Sequence, residues 1–435
     1  MLSKHTTAQL EPAPDAGADA SSTASASASP LLVVCRKAMG LLKYDYIPPA
    51  GIKGLDEYKY SGGAYSWLDN HLNPFWYWCA DQFPETMAPN LITLIGTAFL
   101  LTIAAGVWLF DPFLEAEAPR ILYAWFALCI WIYQTLDAVD GKQARKTKSS
   151  SPLGQLFDHG CDALGTMPLA LAICSCTGVG TTVWAVFVAA TIQIPFYMAQ
   201  FEEHYAHSMR TQVANFGVTE GQYLEAGMML LTAIFGPKFW DTQVPYTEAL
   251  GYGFLPGPNG QEQLPLLTFR TCVVYAGCFF PFLLGLASLV TVVSKGHTFA
   301  TLKLLPVFGL EAILISGSVS SPEYNGLAYA YRMYPVPVLL VFGFAFTHLA
   351  NRVIIATVCK IPYPTIEWSL LLPVPFLLVT DGNFRKNREG QMVLFSAYAL
   401  LVVFLYFHFT VNVGQQIARH LKINIFSLGK RREGV

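Results

Sequence analysis

Charge is scarce in this chain of 435 residues: Asp, Glu, Lys and Arg together make up 13%. Soluble domains carry about 25%, so an ordinary soluble fold is excluded. Net charge is equally slight, −2, and no basic domain offers a surface for nucleic acid. The nine cysteines are scattered, and five of them (Cys129, Cys174, Cys176, Cys272, Cys278) fall in apolar segments. That usage suits packing and excludes a disulfide framework or a zinc site. Residues 1–30, rich in Ala, Ser, Thr and Pro, lack the apolar core of a signal peptide and are expected to form a disordered tail. No repeat of fixed period is present.

Long apolar runs fill what the charges leave. Hydrophobic residues reach 53% and mean hydropathy is +0.41. Crossing a bilayer takes roughly 20 apolar residues. Such runs occur near 90–110, 121–141, 154–175, 180–201, 222–236, 268–294, 300–318, 334–357, 364–380 and 392–413. The pattern predicts an all-α integral membrane protein with about ten transmembrane helices. Residues 31–87 read as an interfacial segment, in which Trp67, Trp76, Tyr77 and Trp78 suit the headgroup layer as an N-terminal amphipathic helix; a buried aromatic cluster is the alternative. Residues 88–236 would form one helical unit, 237–267 a loop rich in Pro and Gly, 268–418 further transmembrane helices, and 419–435 a basic tail. Basic ends and loops favour the cytoplasmic side.

One stretch departs from this pattern. Residues 136–165 read LDAVDGKQARKTKSSSPLGQLFDHGCDALG and place Asp137, Asp140, Asp158 and Asp162 beside apolar spans. Acids at membrane depth are costly and normally face a cavity with a partner. Spacings of three and four put each pair on one helical face. Joined as an antiparallel hairpin with the turn in Gly141–Gly154, the two faces can converge. Four converging carboxylates repel unless cations lie between them, and an all-oxygen ligand set suits Mg2+ or Mn2+. Two such ions stabilise displacement at phosphorus. Gly141 and Ala144 leave room for a bulky anion. Arg145 can grip phosphate oxygens or simply anchor the helix end. Lys142, Arg145, Lys146 and Lys148 would attract an anionic nucleotide and put this end in the cytoplasm. The doublet Glu202-Glu203 and the pair Asp381-Gly382 lack a continuing pattern and read as loop residues.

The pattern D-x-x-D-G-x-x-A-R, eight residues, G-x-x-x-D-x-x-x-D is complete in Asp137, Asp140, Gly141, Ala144, Arg145, Gly154, Asp158 and Asp162. It resembles the signature of CDP-alcohol phosphotransferases. Looser matches, NPFW at Asn73–Trp76, Ala88-Pro89-Asn90 and the run SSSPLGQLFDHGCD, are similar to the eukaryotic choline/ethanolamine phosphotransferase branch.

The resemblance implies that Asp137, Asp140, Asp158 and Asp162 bind two Mg2+ or Mn2+ ions, with Asp158 or Asp140 able to bridge them. It implies that Arg145, with Gly141, Ala144 and Gly154, receives the pyrophosphate. Asn90 would lie near the nucleotide, although a helix cap would look the same. His159 reads as a satisfied core residue or, by resemblance, as the base for the diacylglycerol hydroxyl. Glu220 resembles a family position near the reaction centre, where it would orient His159 or act as base; a surface acid at a helix start is the alternative. The implied reaction passes phosphocholine and/or phosphoethanolamine from CDP-choline or CDP-ethanolamine to diacylglycerol. The implied setting is a homodimer in the endoplasmic reticulum or Golgi membrane, its site facing the cytoplasm. Another acceptor, such as inositol, and a non-enzymatic transporter or scaffold are the competing readings.

Overall fold

A computed structural model describes residues 43–58, 65–213, 216–244, 267–320, 326–364 and 387–429. The expected tail 1–30, the span at 364–380 beyond its first residue, Asp381-Gly382 and most of the 237–267 loop lie outside the described residues.

Twelve α-helices account for most of the described chain: α1 (Pro49–Glu57), α2 (Trp67–Gln82), α3 (Pro89–Phe110), α4 (Arg120–Lys146), α5 (Pro152–Thr177), α6 (Val183–Ala206), α7 (Val218–Phe235), α8 (Phe269–Ser294), α9 (Leu305–Val319), α10 (Gly326–Met333), α11 (Pro335–Val358) and α12 (Arg388–Leu421). The described strands are a two-residue pair, Gln212–Val213 with Phe216–Gly217. The chain is an all-α membrane protein. Among the described residues eight helices are long and apolar enough to span a bilayer: α3, α4, α5, α6, α8, α9 with the 3-10 turn before it, α11 and α12. The expected span at 222–236 is a helix, α7, but it does not reach that standard. Its 18 residues include Thr219, Glu220, Gln222 and Glu225, which dilute the apolar run.

Local chemistry sets the boundaries. Ser151 accepts a hydrogen bond from the Gly154 amide and Pro152 follows at the first helical position, so α5 begins there. It ends at Gly178, whose left-handed φ of 59° reverses the chain. Arg145 and Lys146 occupy the last turn of α4, where cations complement the helix dipole. Helix α4 runs five residues past Gly141, so the connection to α5 is only Thr147–Ser151, shorter than the Gly141–Gly154 turn expected from sequence. The Lys148 and Ser149 amides close back onto the Arg145 and Ala144 carbonyls, which lets the helix persist through the glycine.

Helix α3 packs on α4 and α5, α7 on α4, α11 on α5 and α6, and α8 on α6. Gly165 permits a close approach near the site: a Cβ there would stand 2.8 Å from Leu100 Cδ1 of α3. A second buried cluster joins α1, the start of α5 and the ends of α11 and α12 through Leu55, Leu153, Leu156, Val358 and Ile417. It holds α1 to α12, helped by Gln416, whose amide donates to the Ile47 carbonyl at 2.7 Å and whose Oε1 accepts from the Ile47 amide at 3.0 Å. A third, small cluster beneath α2 contains Trp76, Ala80, Ile92 and Val139.

Candidate metal centre

The two acidic pairs sit on α4 and α5, on facing sides of the hairpin. One carboxylate oxygen each from Asp137, Asp158 and Asp162 lies within 4.8 Å of the others. Asp140 stands beside this group, buried, with the Thr93 hydroxyl donating to its Oδ2. Tyr133, one helical turn before Asp137, donates to Asp162 Oδ1 at 2.6 Å. Asp158 Oδ1 is buried and has no hydrogen-bond partner among the described residues. An orphaned anionic oxygen in low dielectric is costly, and three converging carboxylates multiply the cost. A divalent cation removes it, and hard oxygen donors are what Mg2+ or Mn2+ take. The donor set therefore fits a metal centre.

The backbone beside the acids is uncrowded at two glycines. The first residue outside its own helix that a side chain at Gly154 would meet, beyond the cap Ser151, is Asn90, with Oδ1 at 3.7 Å. A Cβ at Gly141 would meet only the Arg145 guanidinium, at 3.6 Å. Arg145, itself exposed, thus folds over the same end of the hairpin as the two glycines. A cationic fork beside cleared backbone suits a pyrophosphate. Ala144, partly buried, lies one residue before Arg145 in the same turn.

His159 is buried, 4% exposed, and its Nδ1 contacts Gln200 Oε1 of α6 at 3.2 Å. An amide oxygen only accepts, so this contact puts the ring proton on Nδ1 and leaves the lone pair on Nε2. Glu220 stands at the start of α7. Its Oε1 accepts from the Leu68 amide at 3.0 Å and its Oε2 from the Gly217 amide at 2.8 Å. No hydrogen bond links it to His159 among the described residues. Burial pushes its carboxyl up, but the bonds from Ser66, Leu68 and Gly217 outweigh this and hold it below its ordinary value.

Glu220 instead seats α2. Ser66 and Asp69 form a capping box at that helix's N-terminus, and the Thr219 hydroxyl donates to Asp69 at 2.6 Å. At the far end, Lys146 of α4 donates to the Ala80 and Phe83 carbonyls at 3.0 and 3.1 Å, and Gln143 to those of Pro84 and Met87 at 2.9 and 3.1 Å. Lys142 lies over the rings of Trp76 and Tyr77 at 5.1 and 5.0 Å. An anion at the N-terminus and a cation at the C-terminus both oppose the dipole of α2. Trp67 and Trp78 are 59% and 60% exposed, but Trp76 is 2% exposed. The aromatic segment is thus both an exposed face and a buried cluster, since one helix presents two sides.

Glu202 and Glu203 belong to the last turn of α6 and are buried, not loop residues. The Ser208 hydroxyl donates to Glu202 at 3.1 Å and Arg210 pairs with it at 3.5 Å. The Tyr58 hydroxyl donates to Glu203 at 3.1 Å. Tyr58 comes from a distant position, and Ser208 and Arg210 from the chain just beyond the helix, so the doublet shows no periodic pattern. Sequence reading also missed Thr93, Tyr133 and Gln200. Tyr133 alone gave a signal, four residues before Asp137 and hence on its face.

A sequence profile of the CDP-alcohol phosphatidyltransferase family matches residues 86–244, the stretch that holds the converging acids. Choline/ethanolaminephosphotransferase 1 of Arabidopsis thaliana is 35% identical over 400 residues, covering 89% of this chain and 99% of that protein. Cholinephosphotransferase 1 of Danio rerio is 31% identical over 381 residues, covering 87% and 94%. The Homo sapiens protein of the same name is 30% identical over 380 residues, covering 87% and 88%. The chain belongs to the CDP-alcohol phosphatidyltransferase family.

Proposed function

We propose that this protein transfers phosphocholine and/or phosphoethanolamine from CDP-choline or CDP-ethanolamine to diacylglycerol, giving phosphatidylcholine or phosphatidylethanolamine and CMP. The convergence of Asp137, Asp158 and Asp162 oxygens within 4.8 Å carries the reading, and the names of the relatives supply the substrate class. Two Mg2+ or Mn2+ ions held by these three aspartates and Asp140 would neutralise the pyrophosphate and the charge that develops on the departing CMP.

The chain's own residues do the rest. Arg145 grips the pyrophosphate over Gly141, with Ala144 and Gly154 leaving space. Asn90 contacts the nucleoside. His159 takes the diacylglycerol hydroxyl proton on Nε2, the nitrogen that Gln200 leaves free, as that oxygen bonds to the β-phosphorus and the bond to CMP breaks. Glu220 is read here as the residue that seats α2, and not as the base. The basic end of the hairpin adjoins the site, and the chain following α12, whose last turn carries Arg419 and His420, reaches Asn90 through Ile425; both support a cytoplasmic orientation. The setting is a homodimer in the endoplasmic reticulum or Golgi membrane, and the exposed rings of α2 lie in the headgroup layer.

Purified protein supplied with Mg2+, diacylglycerol and radiolabelled CDP-choline or CDP-ethanolamine is expected to yield labelled phospholipid. Labelled product only with another acceptor, such as inositol, would move the chain to that branch. No product with any acceptor would favour a transporter or scaffold and reject the proposal.

A further inference from the structure

Beyond α12 the chain turns back on itself. Lys422 adopts a left-handed backbone with φ 54°, and the Ile423 amide returns to the Ala418 carbonyl at 3.1 Å. The residues that follow lie over the start of α5. Ile423 and Ile425 pack against the cluster that contains Leu153, Leu156 and Ile417. Phe426, itself 47% exposed, meets Phe157 edge-to-face at 5.5 Å. Between these two anchors the Ile425 carbonyl accepts a 3.0 Å hydrogen bond from Asn90 Nδ2.

That bond decides which way the Asn90 amide faces, because only its nitrogen can donate to a carbonyl. The oxygen is turned toward Gly154, 3.7 Å from where a Cβ there would lie. Glycine leaves the approach to that oxygen open, one helical turn from Asp158. An Asn side chain free to rotate would lose this orientation and would pay for regaining it on each binding event.

We infer that the C-terminal strap, through the Ile425 carbonyl and the Phe426 ring, positions Asn90 so that its acceptor oxygen takes a hydrogen-bond donor of the nucleoside half of the CDP-alcohol. The inference rests on the transferase reading above. The strap is a positioning element and touches no reacting atom. It therefore acts on nucleotide affinity and leaves the chemical step alone. Phe426 matters only through Asn90, so the two are energetically coupled.

The test is a double-mutant cycle on the full chain in detergent with Mg2+. Phe426→Ala is expected to raise the KM for CDP-choline roughly fivefold, the worth of about one hydrogen bond, with kcat and the KM for diacylglycerol unchanged. Asn90→Ala should raise the same KM at least as far, and the double variant no further than Asn90→Ala alone. Phe426→Tyr, which keeps the ring contact, should behave as the parent. An unchanged KM in Phe426→Ala, or additive effects in the double variant, would overturn the inference. Calorimetric titration of the parent and the same variants with CMP and Mg2+ separates this from the transferase reading. A parent that makes no phospholipid but binds CMP, more weakly in Phe426→Ala, would reject the reading and retain the strap. A parent that binds no CMP would reject both. Removal of residues 423–435 is the second perturbation: a folded truncation with parental CMP affinity also overturns the inference.

Discussion

Tyr133 and Asp162 face each other across the α4–α5 hairpin, the phenol donating to the carboxylate at 2.6 Å. This bond restrains the Asp162 carboxylate, which shares its space with Asp137 and Asp158. With a metal held at Asp162, Tyr133 would orient that carboxylate as second partners orient metal ligands generally.

Tyr133→Phe is expected to raise the Mg2+ concentration for half-maximal activity by about 10- to 100-fold, the usual cost of losing such a partner. Saturating Mg2+ should restore most of the parental rate. An unchanged Mg2+ titration would show that Asp162 needs no orientation.

Replacing Asp158 or Asp162 with Ala should lower turnover by at least about a thousandfold, since several kcal/mol of charge stabilisation would go. The melting temperature should hold or rise, because each change relieves repulsion among buried carboxylates. Retained activity would rule out these residues as ligands. Chelation of divalent ions should silence the parent reversibly.

His159→Ala should lower kcat by about 100-fold or more, the contribution of a positioned base, with the KM for the CDP-alcohol little changed. Gln200→Ala should produce part of the same loss by freeing the ring. If kcat were intact in His159→Ala, the hydroxyl proton would leave by another route.

Glu220→Gln should loosen α2 by about 1 kcal/mol, the worth of a charge at a helix start with its hydrogen bonds. Proteolysis within residues 66–87 should quicken while the chemical step is retained. The sign of the pH effect follows from the depressed carboxyl: its contribution is fully present at neutral pH and fades only as pH falls below the ordinary value of 4.5. A variant that cleaves like the parent yet loses all turnover would return Glu220 to the chemistry.

Asp111 is a control remote from the signature. It is 1% exposed and accepts from the Glu115 and Ala116 amides at 2.8 and 3.1 Å and from the Ser175 hydroxyl at 2.6 Å. Asp111→Ala leaves three donors without an acceptor and should cost about 3 kcal/mol. The melting temperature should drop while both KM values in the folded fraction stay put. A changed KM would link this end of the bundle to the site.

The sequence by itself determined the membrane class, the places of eight of the ten expected spans and the acidic hairpin, because hydropathy and helical spacing are local properties that survive without a partner. Tertiary structure decided what depends on distant chain segments: that Asp137, Asp158 and Asp162 bring oxygens within 4.8 Å of one another with Asp140 beside them, that Glu220 accepts from the Leu68 amide of α2, that Trp76 turns inward, and that Ile425 reaches Asn90 across 335 residues. Hydrogen bonds of that range leave no periodic trace. A carboxylate's role follows from which donors surround it, and only the packing of α2, α4, α5 and α7 supplies them.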